Sequence, residues 1–316
     1  MASIKLIIGP ASQKLGQKIA RYLKKRSTLY EYTRFADGEI YVRIEEKVRG
    51  DDVFVIQSLN PPVNDNLMIL LILIDALRRA SAGRINVLIP YLAYSRQDRK
   101  TKAREPITSK LMANLITTAG AQRIITVDAH AAQIQGFYDI PFDHFIAYPK
   151  LIEYLKKKEK LNNPIIVAPD AGGLKKAREI AMWIKTPMAF IDKRRTGKNH
   201  TKAIKIIGEV KGKTAILIDD IIDTGGTIVH ATEALYQAGA KPIYICATHG
   251  LLSHQAAEIL QRSPAKTILL TDTIEIPSQK KFPKLKIVSL AKLLSKVIYR
   301  ISHNQSLGAL FDWEKN

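Results

Sequence analysis

The chain has 316 residues, 46% of them hydrophobic and 25% charged, with 49 Lys and Arg against 29 Asp and Glu for a formal net charge of +20. That length exceeds what one core usually fills, so two domains are expected, and the balance of apolar and charged residues excludes a disordered or fibrous chain. The single cysteine, Cys246, excludes an internal disulfide, and the longest apolar run, Leu67 to Ile74, falls far short of the roughly 20 residues that span a bilayer, so a soluble cytoplasmic protein with no membrane contact is expected.

In chain order, short runs rich in Ile and Val alternate with helix-length segments. Lys5–Ile8 comes first and is too short for the core of a signal peptide. Val53–Gln57 and Ile85–Pro90 follow, the second leading into YLAYSRQDRK; Arg123–Asp128 leads into AHAAQIQG, and Ile165–Ala168 into PDAGG. Met188–Ile191 leads into DKRR, Ala215–Ile218 into DDIIDTGGT, and Pro242–Ala247 is the last run. Uninterrupted apolar strands separated by helices indicate parallel sheets covered on both faces, hence the α/β class. Ligands of such sheets bind beyond the carboxyl ends of the strands, where five of these runs carry polar or Gly-rich clusters. The segment Tyr148–Asn163, with its lysine run and following proline, divides two halves of similar length and order. The expected domains are 1–147 and 148–300, with the tail 301–316 packing back on the first.

One loop carries its own chemistry. Thr224-Gly225-Gly226-Thr227 runs into a helical segment, Ile228–Ala238, that Gly239 ends. Glycines let backbone N–H groups converge, and a helix start adds partial positive charge, which together favour a phosphate. Asp219, Asp220 and Asp223 just before it would repel a bare phosphate. Carboxylates there suit vicinal sugar hydroxyls, met directly or through a metal ion, so a sugar phosphate is implied. GEVKGKT at 208–214 lacks the spacing of a nucleotide phosphate loop and feeds a strand rather than a helix. The basic run Arg96, Arg99, Lys100, Lys102 and Arg104 can neutralise a polyphosphate; a nucleic-acid site would add exposed aromatics or a reading helix, and neither is evident.

FADGE (35–39), YSRQDRK (94–100), REPIT (104–108), DAHAAQIQGF (128–137), PDAGG (169–173), DKRR (192–195) and DDIIDTGGT (219–227) stand in an order that resembles class I ribose-phosphate pyrophosphokinases. The resemblance runs from near Lys5 to Phe311. It implies two similar phosphoribosyltransferase-type domains, each a mostly parallel sheet flanked by helices, and pyrophosphoryl transfer from ATP to the C1 hydroxyl of ribose 5-phosphate. By that likeness Lys193 and Arg195 are catalytic, and Asp37, Gly38, Glu39, Arg96 and Gln97 bind ATP. His130 and Asp170 are associated with Mg²⁺, and Arg195, Asp219, Asp223, Thr224, Gly225, Gly226 and Thr227 meet ribose 5-phosphate. It further implies phosphate and ADP as effectors at a site between subunits, and a homo-oligomer of hexameric type. Nucleic acid is not an expected partner.

Three other readings stand beside this one: a non-catalytic regulatory relative, a transferase using phosphoribosyl pyrophosphate and a base, and a DNA-reading regulator. The intact Lys193, Arg195, His130 and Asp219 disfavour the first. The second explains one cluster of seven, and the third lacks a helix-turn-helix at the N-terminus. Two positions depart from the family pattern: Lys202 stands where the family has Glu, and Gly308 replaces a Ser of a Ser-x-Ser segment. The first alters loop charge; the second is expected to weaken the response to phosphate and ADP.

Overall fold

The computed structural model describes residues 3–196 and 201–311; side chains at 193–196, 201–204 and 311 lie outside that description. Gly197, Lys198 and Asn199 of the basic loop are thus outside it, as are the side chains of Lys193, Arg195 and Lys202. By its contacts the chain forms two compact units: residues 1–146 with 273–275 and 289–316, and residues 147–272 with 276–288.

The first unit takes the elements β1 (Ile4–Ile8), α1 (Gln13–Leu23), β2 (Tyr30–Arg34), β3 (Ile40–Ile44), β4 (Asp52–Ile56), α2 (Val63–Arg79), β5 (Arg84–Ile89), α3 (Thr108–Ala119), β6 (Arg123–Val127) and β7 (Phe142–Phe145). Its main sheet is parallel throughout in the order β1-β4-β5-β6-β7. β4 is buried along its whole length and β5 everywhere but Arg84, which is why their sequences are continuous apolar runs with no alternation. β2 and β3 form a separate antiparallel hairpin.

The second unit holds α4 (Tyr148–Lys158), β8 (Pro164–Ala168), α5 (Leu174–Trp183), β9 (Met188–Thr196), β10 (Thr201–Ile207), β11 (Thr214–Ile222), α6 (Gly226–Gln237), β12 (Ile243–Gly250), α7 (Ala256–Arg262), β13 (Thr267–Thr271) and β14 (Leu285–Val288). Its seven strands run β10-β9-β8-β11-β12-β13-β14, all parallel except the edge strand β10, which returns antiparallel on β9. Ile165, Val167, Leu217, Ile243, Ile245 and Ile268 fill the core of that sheet.

The chain then forms α8 (Ala291–Ser302) and the short α9 (Gly308–Phe311). The expectation kept residues up to 300 with the second half, whereas α8 belongs with the first unit. The reason is its apolar stripe: Leu294, Val297, Ile298 and Ile301 are buried, and the helix packs on α1, which buries Leu15 and Ile19. Among the described residues no helix is long and apolar enough to cross a membrane.

Candidate active site

In the second unit the strand order itself assembles the candidate residues. β8 lies between β9 and β11, so three neighbouring carboxyl ends present, in turn, Lys193 and Arg195 on β9, Asp170 after β8, and Asp219 and Asp220 at the end of β11. Asp223 follows β11, and its carbonyl accepts the Ser253 N–H at 2.9 Å, which ties the loop to the segment after β12. The loop then turns through Gly225 at φ +80°, a left-handed conformation that glycine adopts without penalty. α6 begins at Gly226, and the Val229 N–H bonds back to the Gly225 carbonyl at 3.0 Å. Thr224 to Thr227 thus form a tight entry to a helix N-terminus, the geometry that favours a phosphate.

Asp170 caps the turn after β8. Its Oδ1 accepts the N–H groups of Gly172 at 2.9 Å and Gly173 at 3.2 Å. Asp219 is half-buried, and its Oδ1 accepts the Asp220 N–H at 2.9 Å. Burial pushes the Asp219 carboxyl up to about 8; the adjacent charge of Asp220, its hydrogen bond and the charge of Asp170 add to that push, and Lys176 opposes it. A carboxyl held so far from its ordinary range at a strand's carboxyl end is a candidate functional group. Lys176 Nζ lies 3.8 Å from Asp220 Oδ1. Asp220 was read from sequence only as one of the acids before the glycine loop, and Lys176 was not singled out at all, although it follows Asp170 by only six positions in PDAGGLKK.

In the first unit, β5 and β6 are neighbours, so the loop with Arg96 and Gln97 and the turn with His130 leave adjacent strand ends. Arg96 and His130 are exposed. The two loops are joined by Gln133 Nε2 donating to Asp98 Oδ2 at 2.5 Å. Gln97 is tied into the fold: its Oε1 accepts from Thr108 Oγ1 at 2.6 Å and its carbonyl from the Ser109 N–H at 3.1 Å, fixing the start of α3. After β6, Asp128 is buried at φ +41°, its N–H on the Phe145 carbonyl, and the Ala129 N–H donates to His144 Nε2 at 2.9 Å. β7 therefore staples the turn that carries His130.

Asp37, Gly38 and Glu39 form the exposed tip of the β2–β3 hairpin. Asp37 Oδ1 accepts the Glu39 N–H at 3.0 Å, and Gly38 takes φ +96°. Among the described residues no group of three or more His, Cys, Asp or Glu is arranged to hold a metal ion.

Comparison with known proteins adds a second line of argument. The sequence model of the N-terminal domain of ribose phosphate pyrophosphokinase matches residues 4–120, and that of the phosphoribosyl synthetase-associated domain matches residues 194–312. The chain is 50% identical over 311 residues to a ribose-phosphate pyrophosphokinase of Fusobacterium nucleatum, covering 98% of each chain. It is 52% identical over 309 residues to that of Caldanaerobacter subterraneus, again covering 98% of each. Among solved structures, phosphoribosylpyrophosphate synthetase from Mycobacterium smegmatis superposes with a TM-score of 0.91 at 42% identity, covering 96% of this chain and 99% of that one.

Proposed function

The chain belongs to the ribose-phosphate pyrophosphokinase family, and on that premise we propose how its own residues divide the reaction. The activity is transfer of the pyrophosphoryl group of ATP to the C1 hydroxyl of ribose 5-phosphate, giving 5-phosphoribosyl 1-pyrophosphate and AMP for nucleotide biosynthesis.

The loop Thr224 to Thr227 takes the 5-phosphate on its backbone N–H groups, and Asp219 and Asp223 accept hydrogen bonds from ribose hydroxyls. Lys193 and Arg195 set positive charge where negative charge builds up on the bridging and leaving oxygens, with Arg195 also touching ribose 5-phosphate. Phosphoryl-type transfer asks for positioning and charge stabilisation more than covalent chemistry. Arg96, Gln97, Asp37, Gly38 and Glu39 bind ATP. The observation that carries this reading is the sheet order of the second unit, which puts the cationic pair, Asp170 and the acid-and-glycine loop at three consecutive strand ends.

Enzymes of this family are kinase-type and work with a metal ion; we assign it as Mg²⁺, with His130 and Asp170 as its associated residues. Asp170 fits a hard cation, since its Oδ1 is spent on two backbone N–H groups and Oδ2 makes no hydrogen bond among the described residues. Mg²⁺ keeps several waters and takes one or two protein carboxylates beside substrate phosphates. Bound, the cation offsets negative charge on the polyphosphate. Family likeness supports a cytoplasmic homo-oligomer of hexameric type, with phosphate and ADP as effectors.

The test is AMP release by the purified protein with Mg²⁺. It is expected only when ATP and ribose 5-phosphate are both supplied; AMP formation indifferent to ribose 5-phosphate refutes the assignment.

A further inference from the structure

Two carboxylates side by side at a strand end repel each other, and Asp219 also feels the charge of Asp170. One cation is placed to settle which of them a ligand meets. Lys176 lies in the first turn of α5, and its ammonium is 3.8 Å from Asp220 Oδ1. On its other side it sits 5.1 Å from the centroid of the Tyr148 ring. Tyr148 opens α4 and is fully buried, so the ring is a fixed wall. A cation over an aromatic face is attracted to it, most strongly where water is excluded. Lys176, itself only 28% exposed at its side chain, is thereby confined between an immobile ring and one chosen carboxylate.

Asp219 is arranged differently. Its Oδ1 receives the Asp220 N–H, and the charge of Lys176 is the least of the influences on its carboxyl, whereas the 3.8 Å ion pair of Lys176 is with Asp220. We propose that Lys176 is a positioning residue of the ribose subsite: it holds Asp220 through an ion pair backed by Tyr148, and so leaves Asp219 to meet the sugar hydroxyls. This rests on the assignment of Asp219 to ribose. At 3.8 Å the pair is an electrostatic contact rather than a tight hydrogen bond, so charge matters more than the shape of the head group. Arginine therefore substitutes for lysine here, and a neutral side chain of equal length does not.

The test compares steady-state kinetics of the full-length wild type with Lys176→Met and Lys176→Arg. Lys176→Met is expected to raise KM for ribose 5-phosphate at least about tenfold, the scale of one lost ion pair near a buried charge, while KM for ATP stays within about twofold. Lys176→Arg is expected to bring KM for ribose 5-phosphate back to within about twofold of wild type. Asp220→Asn is expected to reproduce the rise, and Lys176→Met added to it to bring little more, because the two act through one contact. Equal changes in both KM values, a fall in kcat alone, or an additive double variant overturns the proposal. If Lys176→Met fails to fold, Lys176→Gln against Lys176→Arg carries the same comparison. Wild type without ribose 5-phosphate-dependent AMP release removes the ribose assignment and this role with it, whereas an active wild type and an unshifted KM in Lys176→Met removes the role alone.

Discussion

Lys202 stands directly across the β9–β10 ladder from Arg195, one step in from the Thr196–Thr201 pair at the end of the hairpin. The family pattern has Glu at this position, so the cross-strand partner of a proposed catalytic arginine carries the opposite sign here. Like charges directly opposite weaken an antiparallel pair by a few tenths of a kcal/mol to about 1 kcal/mol. Lys202→Glu is therefore expected to firm the hairpin by about 0.5 kcal/mol, seen as slower amide hydrogen exchange at Ile204 and Ile206. Exchange that is unchanged or faster would count against an electrostatic cost in this ladder.

Lys193 lies two residues before Arg195 on the same strand, β9. If they supply the charge that the transferring oxygens need, Lys193→Ala lowers kcat for AMP release by roughly a hundredfold or more, the usual scale for losing one preorganised electrostatic donor. Its melting temperature should stay near that of wild type. Near-normal turnover in this variant removes Lys193 from the chemistry.

Asp219 gives a pH signature in the absence of substrates. An aspartate in the unfolded chain titrates near 3.9, and burial with Asp220 and Asp170 nearby raises the folded value to about 8 against the opposing charge of Lys176. Because the folded value is the higher one, the contribution favouring the fold is full below about pH 4 and is lost as pH rises to and through 8. Asp219→Asn cannot ionise, so its melting temperature should gain on wild type between pH 5 and pH 9, by the equivalent of about 1–2 kcal/mol. Activity should fall in the same variant. A stability difference that does not change with pH would rule out the buried charge as its cause.

Gly308 sits where the family pattern has the second Ser of the segment proposed to take phosphate and ADP. The remaining Ser306 is engaged locally: its Oγ accepts the Gly308 N–H at 3.2 Å, and its carbonyl accepts from Arg300 Nη1 at 2.6 Å. Gly308→Ser restores a donor, and the phosphate concentration for half-maximal activation should drop about fivefold, the worth of one hydrogen bond of about 1 kcal/mol. An unaltered phosphate titration would mean that position 308 does not take part in effector binding.

The strands of both main sheets were legible wherever burial on two faces forces a continuous apolar run, as in Val53–Ile56, Ile85–Ile89 and Ala215–Ile218. The β2–β3 hairpin was not, because YEYTR and IYVRI are half-exposed strands with mixed chemistry, stabilised by pairing with each other. The place of α8 was hidden for a related reason: its sequence shows an apolar stripe but not the helix it packs against, which is α1, about 280 positions earlier in the chain. At the site, the acids and glycines of residues 219–227 are adjacent in sequence and could be read as a unit. Lys176 reaches Asp220, and Tyr148 reaches Lys176, from other elements, and His144 acts on Ala129 from the neighbouring strand; only tertiary contact reveals such partners.

Gly225 and Gly226 adjoin each other but answer to different constraints, and substitution separates them. Gly225 holds φ +80°, and a Cβ added there would lie 3.3 Å from Ile259 Cδ1. Gly225→Ala should cost about 1–2 kcal/mol for the left-handed backbone alone, since Ile259 offers only the yielding end of a side chain. Gly226 is the first residue of α6 with no such φ, and an added Cβ meets nothing within 4 Å. The protein therefore has no steric need for glycine at 226; a phosphate resting on the helix start does, because a Cβ would hold it off the N–H groups. Gly226→Ala should melt like wild type and show a KM for ribose 5-phosphate raised about tenfold or more, the loss of roughly one charge-assisted hydrogen bond. Gly225→Ala should show the lower melting temperature. A Gly226→Ala protein with normal KM would place the phosphate elsewhere than on this loop.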